Sequence, residues 1–221
     1  MVGWDIECSG LKADFAFLLC AAFGVVGEKK IRLISLRQFL KGDENPLLHE
    51  RELVKAVAEE YAKADVLVGH YSTGFDRPFL AAKMLEYGLP PLPNIPHIDT
   101  YYLSKKLAIS RKSLQNVAYY SGIKQTKSAV EGRLWKAAQA GNIKALKAIE
   151  HHNVVDVQVL NEVYLKLRPL MLTHPRVNGF GPCRACGQDR LQSRGAAISS
   201  LKGHQRRYQC AGCGAWETRA A

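Results

Sequence analysis

The chain has 221 residues, 47% hydrophobic and 23% charged, which excludes wholesale disorder and suits one sizeable domain plus an appendage. The most apolar run, Phe15 to Val26, is shorter than the roughly 20 residues of a membrane span, and the acids Asp5, Glu7 and Asp14 before it do not suit a secretory signal, so a cytoplasmic protein without membrane contact is expected. The net charge is +11, and from Arg168 onwards nine basic residues face two acids, a compact basic tail of the kind that attracts an anionic polymer.

In chain order, Val2 to Cys8 alternates as a strand, with Trp4 and Ile6 on one face and Asp5 and Glu7 on the other. Phe17 to Val26 and Lys30 to Leu36 follow as strands joined by a tight turn at Gly27-Glu28, giving three antiparallel strands. His49 to Ala64 has helical spacing of Leu53, Val54, Val57, Ala58 and Tyr61. Val66 to Val68 is wholly apolar, as a strand buried on both faces should be. A helix is predicted over Asp76 to Tyr87 with Asp76 as its N-cap, then a proline-rich loop and an edge strand at His97 to Thr100. Helices are predicted at Ser113 to Tyr120, Glu131 to Ala140, Ile143 to Ile149 and Asn153 to Leu167. Pro169, Pro175, Gly179, Gly181 and Pro182 mark a linker. The reading is thus an α/β domain at 1–168 with a mixed sheet flanked by helices, a linker at 169–182, and a small module at 183–221.

Asp5 and Glu7 lie two apart in a strand and leave the same face. Two neighbouring carboxylates repel unless a cation sits between them, and hard divalent ions take oxygen ligands. The turn Cys8-Ser9-Gly10-Leu11 frees the strand end for a ligand. A solvated strand face is the alternative for the pair taken alone.

Trp4-Asp5-Ile6-Glu7-Cys8-Ser9-Gly10-Leu11 resembles the first motif of the DEDD exonucleases, which have a ribonuclease-H-like fold. Gly69-His70-Tyr71-Ser72-Thr73-Gly74-Phe75-Asp76-Arg77-Pro78-Phe79-Leu80 resembles the second motif, in the version of the proofreading domains of family B DNA polymerases. His151-His152-Asn153-Val154-Val155-Asp156-Val157 resembles the third. The resemblance implies that Asp5, Glu7, Asp76 and Asp156 bind two Mg2+ or Mn2+ ions, which activate a water and stabilise the leaving 3′ oxygen. It also implies that His152, one helical turn before Asp156, or His151, from a loop before the helix, orients or deprotonates that water. Leu11 is then a candidate wedge against the terminal base and Phe75 a neighbouring contact, with core packing as the alternative for both. Asp99 is a rival third carboxylate, read here as structural. Two departures stand out: the family usually has asparagine where this chain has Tyr71, and the third motif carries a doubled histidine.

Cys183-x2-Cys186 and Cys210-x2-Cys213, each followed by glycine, form a C4 pattern that calls for a structural Zn2+. Cys8 and Cys20 stand alone in apolar surroundings and read as buried thiols. The stretch Arg190 to Gln209 fits the hairpin of a zinc ribbon, and Arg206, Arg207, Tyr208 and Trp216 combine guanidinium groups and rings suited to phosphates and bases.

The leading expectation is a metal-dependent 3′→5′ exonuclease acting on single-stranded nucleic acid, DNA before RNA. It looks like small nucleases of phage or bacterial origin and would work beside replication or repair proteins. The alternatives are an inactive nuclease-fold adaptor on nucleic acid and a structure-specific endonuclease.

Overall fold

The structure is a computed structural model that describes residues 1–40, 45–124, 131–171, 174–175, 182–199 and 203–220. The linker glycines Gly179 and Gly181 lie outside these. The chain divides into two compact units, Met1–Tyr164 and Leu165–Ala221.

The first unit is built on a five-stranded sheet in the order β3-β2-β1-β4-β5. Its strands are β1 (Val2–Cys8), β2 (Leu18–Val25), β3 (Ile31–Ser35), β4 (Leu67–Gly69) and β5 (His97–Asp99). β1, β2 and β3 are antiparallel, with Asp5 opposite Ala22 and Glu7 opposite Cys20. β4 and β5 run parallel to β1, and β5 forms the edge. The first hairpin turns at Gly27, at φ 92°, where the Glu28 amide donates to the Val25 carbonyl. The register between β1 and β2 shifts after Glu7, so the strand end opens where the carboxylates lie.

The alternation of β1 decides what each face packs against. Trp4 and Ile6 are buried. The Trp4 ring meets Tyr61 edge-on at 5.0 Å and stacks on Phe23 at 6.1 Å. Tyr61 belongs to α1 (Glu50–Tyr61), whose Leu53, Val54 and Val57 complete that side of the core. The opposite face is covered by α6 (Ile143–Leu167). A side chain on Gly3 would put its Cβ 2.0 Å from Asn161 Oδ1, and one on Gly24 would meet Asn161 and Val157 at 3.1 Å. These two glycines let α6 lie close against the sheet.

The remaining helices are α2 (Asp76–Glu86), α3 (Thr100–Ser104), α4 (Leu114–Tyr120) and α5 (Gly132–Gln139). Two details differ from the sequence expectation. Phe75, not Asp76, is the N-cap of α2, and Asp76 is its first helical residue. The last two predicted helices are one continuous helix, α6, whose first turn is held by the Asn142 side chain accepting from the Ala145 amide. Nothing in Glu150, His151 or His152 breaks a helix, so the pattern continues through them.

The turn after β4 is pinned from β5. Gly69 lets it close, because a Cβ there would meet Ser72 Oγ at 1.7 Å. Asp99 accepts from the amides of Tyr71, Thr73 and Tyr101 and from the Thr73 hydroxyl, which makes it a turn organiser. His97 Nε2 lies 3.2 Å from Trp4 Nε1 and 2.8 Å from Ser72 Oγ. Indole nitrogen only donates, so Nε2 accepts and the imidazole is neutral.

The second unit holds a three-stranded antiparallel sheet, β6 (Leu191–Ser199), β7 (Gly203–Cys210) and β8 (Trp216–Ala220), in that order. The expected hairpin is present as β6 and β7. The sequence reading did not place β8.

Burial lowers the His97 pKa to about 4. A folded-state pKa below the ordinary value means that acidification favours the unfolded chain, which binds the proton first. The His97 contribution is therefore present above pH 6.5 and lost as pH falls towards 4, a loss of roughly 3 kcal/mol. Urea unfolding of wild type and His97→Gln across that range should show the stability gap between them narrowing with acid. Parallel curves would contradict this.

Candidate functional site

Each motif carboxylate is tied to the end of β1 by a different route. Asp5 and Glu7 share the face that α6 covers. Asp5 Oδ2 accepts from Asn153 Nδ2 at 2.8 Å, and Asn153, fully buried on α6, takes the Cys20 thiol on its own oxygen at 3.7 Å. Glu7 Oε1 lies 3.8 Å from His152 Nε2, which lies 3.8 Å from Asp156 Oδ2 one turn further along α6. Glu7, His152 and Asp156 thus present three ligand atoms within 4.8 Å of one another. Asp76, at the start of α2, accepts the Ile6 amide on Oδ1 at 3.0 Å, between the two acids of β1.

Burial and neighbouring charges set the electrostatics. Asp76 is buried, and desolvation, with a smaller push from Asp99, raises its pKa to about 7 against the pull of the Ile6 amide and its own amide. The Cys8 thiol is pushed well up by burial and then by the charges of Asp76 and Glu7, with Cys20 and Asp5 adding less. Three acids from two motifs therefore act on one neighbouring side chain. Clustered carboxylate oxygens beside one imidazole form a donor set that fits a divalent metal cation. Asp5, Glu7, Asp76 and Asp156 could hold such ions.

The other candidates fall outside this cluster. His151 is exposed on α6, because the continuous helix leaves no loop from which it could reach inward. Leu11 is 80% exposed in the loop after β1, and Phe75 is half-buried with its ring 5.8 Å from Phe79. Asn153 was not singled out by the sequence reading. Its only signal was its place three residues before Asp156 on the helix that faces β1.

In the second unit Cys183, Cys186, Cys210 and Cys213 bring their sulfurs within 4.8 Å of one another. Cys183 Sγ is 3.7 Å from Cys213 Sγ, and Cys186 Sγ is 3.6 Å from Cys210 Sγ. Four thiolates at about 2.3 Å from a tetrahedral zinc stand about 3.8 Å apart, so the cluster fits Zn2+. The two knuckles repeat one geometry. The Gly187 amide donates to the Cys183 carbonyl and the Gly214 amide to the Cys210 carbonyl, with both glycines at positive φ, 78° and 75°. Arg168, another residue not anticipated, donates to the carbonyls of Ala185 and Cys183 and braces the first knuckle. Arg206, Arg207 and Trp216 are exposed, whereas the Tyr208 ring carries the Arg219 guanidinium at 5.0 Å.

The family model described as RNase_H superfamily matches residues 4–168, and the chain belongs to that superfamily. Among solved structures it is similar to the family B DNA polymerase from the hyperthermophilic archaeon Pyrobaculum calidifontis, with a TM-score of 0.61 and 19% identity. The match covers 77% of this chain and 25% of the polymerase, so the chain spans about a quarter of that protein's length. No curated protein matches the chain in sequence. The fold is therefore ribonuclease-H-like with a small zinc ribbon, and it supports a nuclease. Among the described residues no helix is long and apolar enough to cross a membrane.

Two outcomes test these sites. Asn153→Leu keeps the helix but releases Asp5, and loss of such a supporting bond should weaken Mn2+ binding by about tenfold in calorimetric titration; unchanged affinity would show that Asp5 needs no such hold. Stripping zinc with a strong chelator should unfold the ribbon while the helical circular-dichroism signal of the first unit stays. Unaltered ribbon resonances in NMR after zinc removal would contradict a structural metal.

Proposed function

We propose that the protein is a two-metal 3′→5′ exonuclease that hydrolyses phosphodiester bonds at the end of single-stranded DNA. The observation that carries this reading is the meeting of three chain segments at β1: Asp5 and Glu7 on the strand, Asp76 fastened to the Ile6 amide, and Asp156 beside Glu7 through His152.

In this reading Asp5, Glu7, Asp76 and Asp156 hold two Mg2+ or Mn2+ ions. When bound, the ions lower the pKa of a water and neutralise charge on the leaving oxygen. The chain's own residues do the positioning. Asn153 fixes the rotamer of Asp5, and the Ile6 amide fixes that of Asp76, so two of the acids keep their places before a ligand arrives. His152, between Glu7 and Asp156, is the residue set to orient the attacking water and accept its proton. Leu11, exposed in the loop after the strand end, is suited to wedge the terminal base, and Phe75, at the start of α2 next to Asp76, to make a further contact. Phosphoryl transfer asks for alignment and charge neutralisation more than for covalent participation, so this set suffices.

The second unit supplies further grip. Arg206, Arg207 and Trp216 are exposed on β7 and β8, and Tyr208 lies on the same strand as the two arginines, a mixture of phosphate partners and rings that suits a single strand without sequence preference. We take residues 1–168 as the catalytic domain and 183–221 as the ribbon, joined by 169–182. DNA is favoured because the structural relative is a DNA polymerase, and partners from replication or repair would fit that substrate.

A 5′-labelled oligonucleotide incubated with the full chain and Mg2+ or Mn2+ should give a ladder shortened from the 3′ end. Asp5→Ala and His152→Ala should slow it by at least about a hundredfold. Equal rates in wild type and Asp5→Ala would refute the assignment, and cutting of circular single-stranded DNA would make it an endonuclease.

A further inference from the structure

The place where the resembling motif carries asparagine has a backbone reason. Tyr71 has φ 63°, the one positive value at a non-glycine among the described residues. Asparagine tolerates that left-handed region several-fold better than a bulky aromatic residue does. The strain at Tyr71 is held by its surroundings. Its amide donates to Asp99 Oδ1 at 2.8 Å, and its carbonyl accepts from the amides of Gly74 and Phe75.

The ring is not buried in return. It is 45% exposed and lies against Gly74, where a Cβ would come within 2.7 Å of it. It meets Tyr101 at 4.9 Å and Tyr102 at 6.3 Å, and those two rings meet at 5.3 Å. Tyr102 is 46% exposed. The Lys105 ammonium sits 5.0 Å from the Tyr101 ring centre and 4.7 Å from that of Tyr102. Three rings and a cation thus form one continuous, half-exposed patch.

Its location and charge say what it faces. Tyr71 follows the carboxyl end of β4, and Tyr101, Tyr102 and Lys105 follow that of β5. Both strands are parallel to β1, whose carboxyl end carries Glu7. Open α/β sheets bind ligands at that end. The chain has no acidic residue between Asp99 and Glu131, while Lys105, Lys106 and Arg111 are exposed there. A strained aromatic left half in solvent, beside a cation in an acid-free stretch, matches a flat, anionic polymer. Every nucleobase offers a face for stacking, and each phosphate a charge for lysine.

We propose that Tyr71, Tyr101 and Tyr102, with Lys105, form a platform on which a base of the single strand stacks, a few nucleotides upstream of the one held at the carboxylates. The platform sets the path of the strand towards the site and favours single strands, whose bases are free to stack. This rests on the nuclease reading for its substrate, yet its test does not require cleavage.

The test is fluorescence anisotropy of the full zinc-loaded chain with 5′-fluorescein single-stranded DNA, Ca2+ replacing Mg2+. A set of strands carries one abasic nucleotide each, at successive distances from the 3′ end. Wild type should lose about tenfold in affinity at one position near that end. Tyr102→Ala, and Tyr71→Asn, which keeps the left-handed turn, should bind the intact strand about tenfold more weakly and lose nothing further at that position. Tyr102→Phe, which keeps the ring, should behave as wild type. A wild type that does not bind the strand, or is indifferent to base removal, overturns the platform. So do Tyr102→Ala and Tyr71→Asn variants that keep the full abasic penalty, as they would if the patch served a protein partner. Degradation with Mg2+ is scored separately: a coupled abasic footprint without a ladder supports the platform and refutes the nuclease, and a ladder without the footprint does the reverse.

Discussion

The first unit is organised around a repulsion. Asp5, Glu7, Asp76 and Asp156 carry like charges, and gathering them beside one strand end is unfavourable in the absence of cations. Burial, with a smaller push from Asp99, raises the Asp76 pKa to about 7, and the gathered charge shows at the Cys8 thiol, which burial and then Asp76, Glu7 and Asp5 push up. The fold withstands the repulsion with neutral hydrogen bonds and packing: the Ile6 amide on Asp76, the Asn153 amide on Asp5, and a hydrophobic face of Trp4, Ile6, Tyr61 and Phe23 behind the strand. In the proposed reading, a divalent ion entering a site so held would find ligands already in place and relieve their repulsion.

Close packing supplies the precision. Gly3 and Gly24 have no side chains, so α6 approaches the sheet closely enough for Asn153, His152 and Asp156 to meet β1. Gly69 does the same for the turn that carries Tyr71 to Asp76, and Asp99 and His97 fasten that turn from β5. The three parallel strands therefore bring their following segments to one end of the sheet, where the carboxylates and the tyrosine patch both lie.

Much of this was readable in the sequence, for a physical reason. Alternation in β1 fixes the faces of Trp4 and Asp5, helical spacing fixes the buried side of α1, and the C-x2-C pairs announce the knuckles. These are local, periodic signals. What the sequence hid depends on contacts distant in the chain. Asn153 looks like an ordinary helical amide until Asp5, far away in sequence, is placed opposite it. The continuity of α6 is the exception, since nothing local at His151 or His152 breaks a helix. The N-cap of α2 was misplaced by one residue because the Asp76 side chain is taken up by the Ile6 amide, leaving Asp76 as the first helical residue. β8 is short and borrows its register from β7, and the positive φ of Tyr71 runs against the preference of its residue type.

The claim on which the rest depends is that acids from three segments share one pair of ions. Anomalous diffraction at the manganese edge, from crystals grown with Mn2+ and a mononucleotide, addresses it most directly. Two peaks about 4 Å apart, bound by Asp5, Glu7, Asp76 and Asp156, are predicted. Peaks absent from this strand end, or an Asp156 carboxylate that takes no part in binding them, would contradict the account.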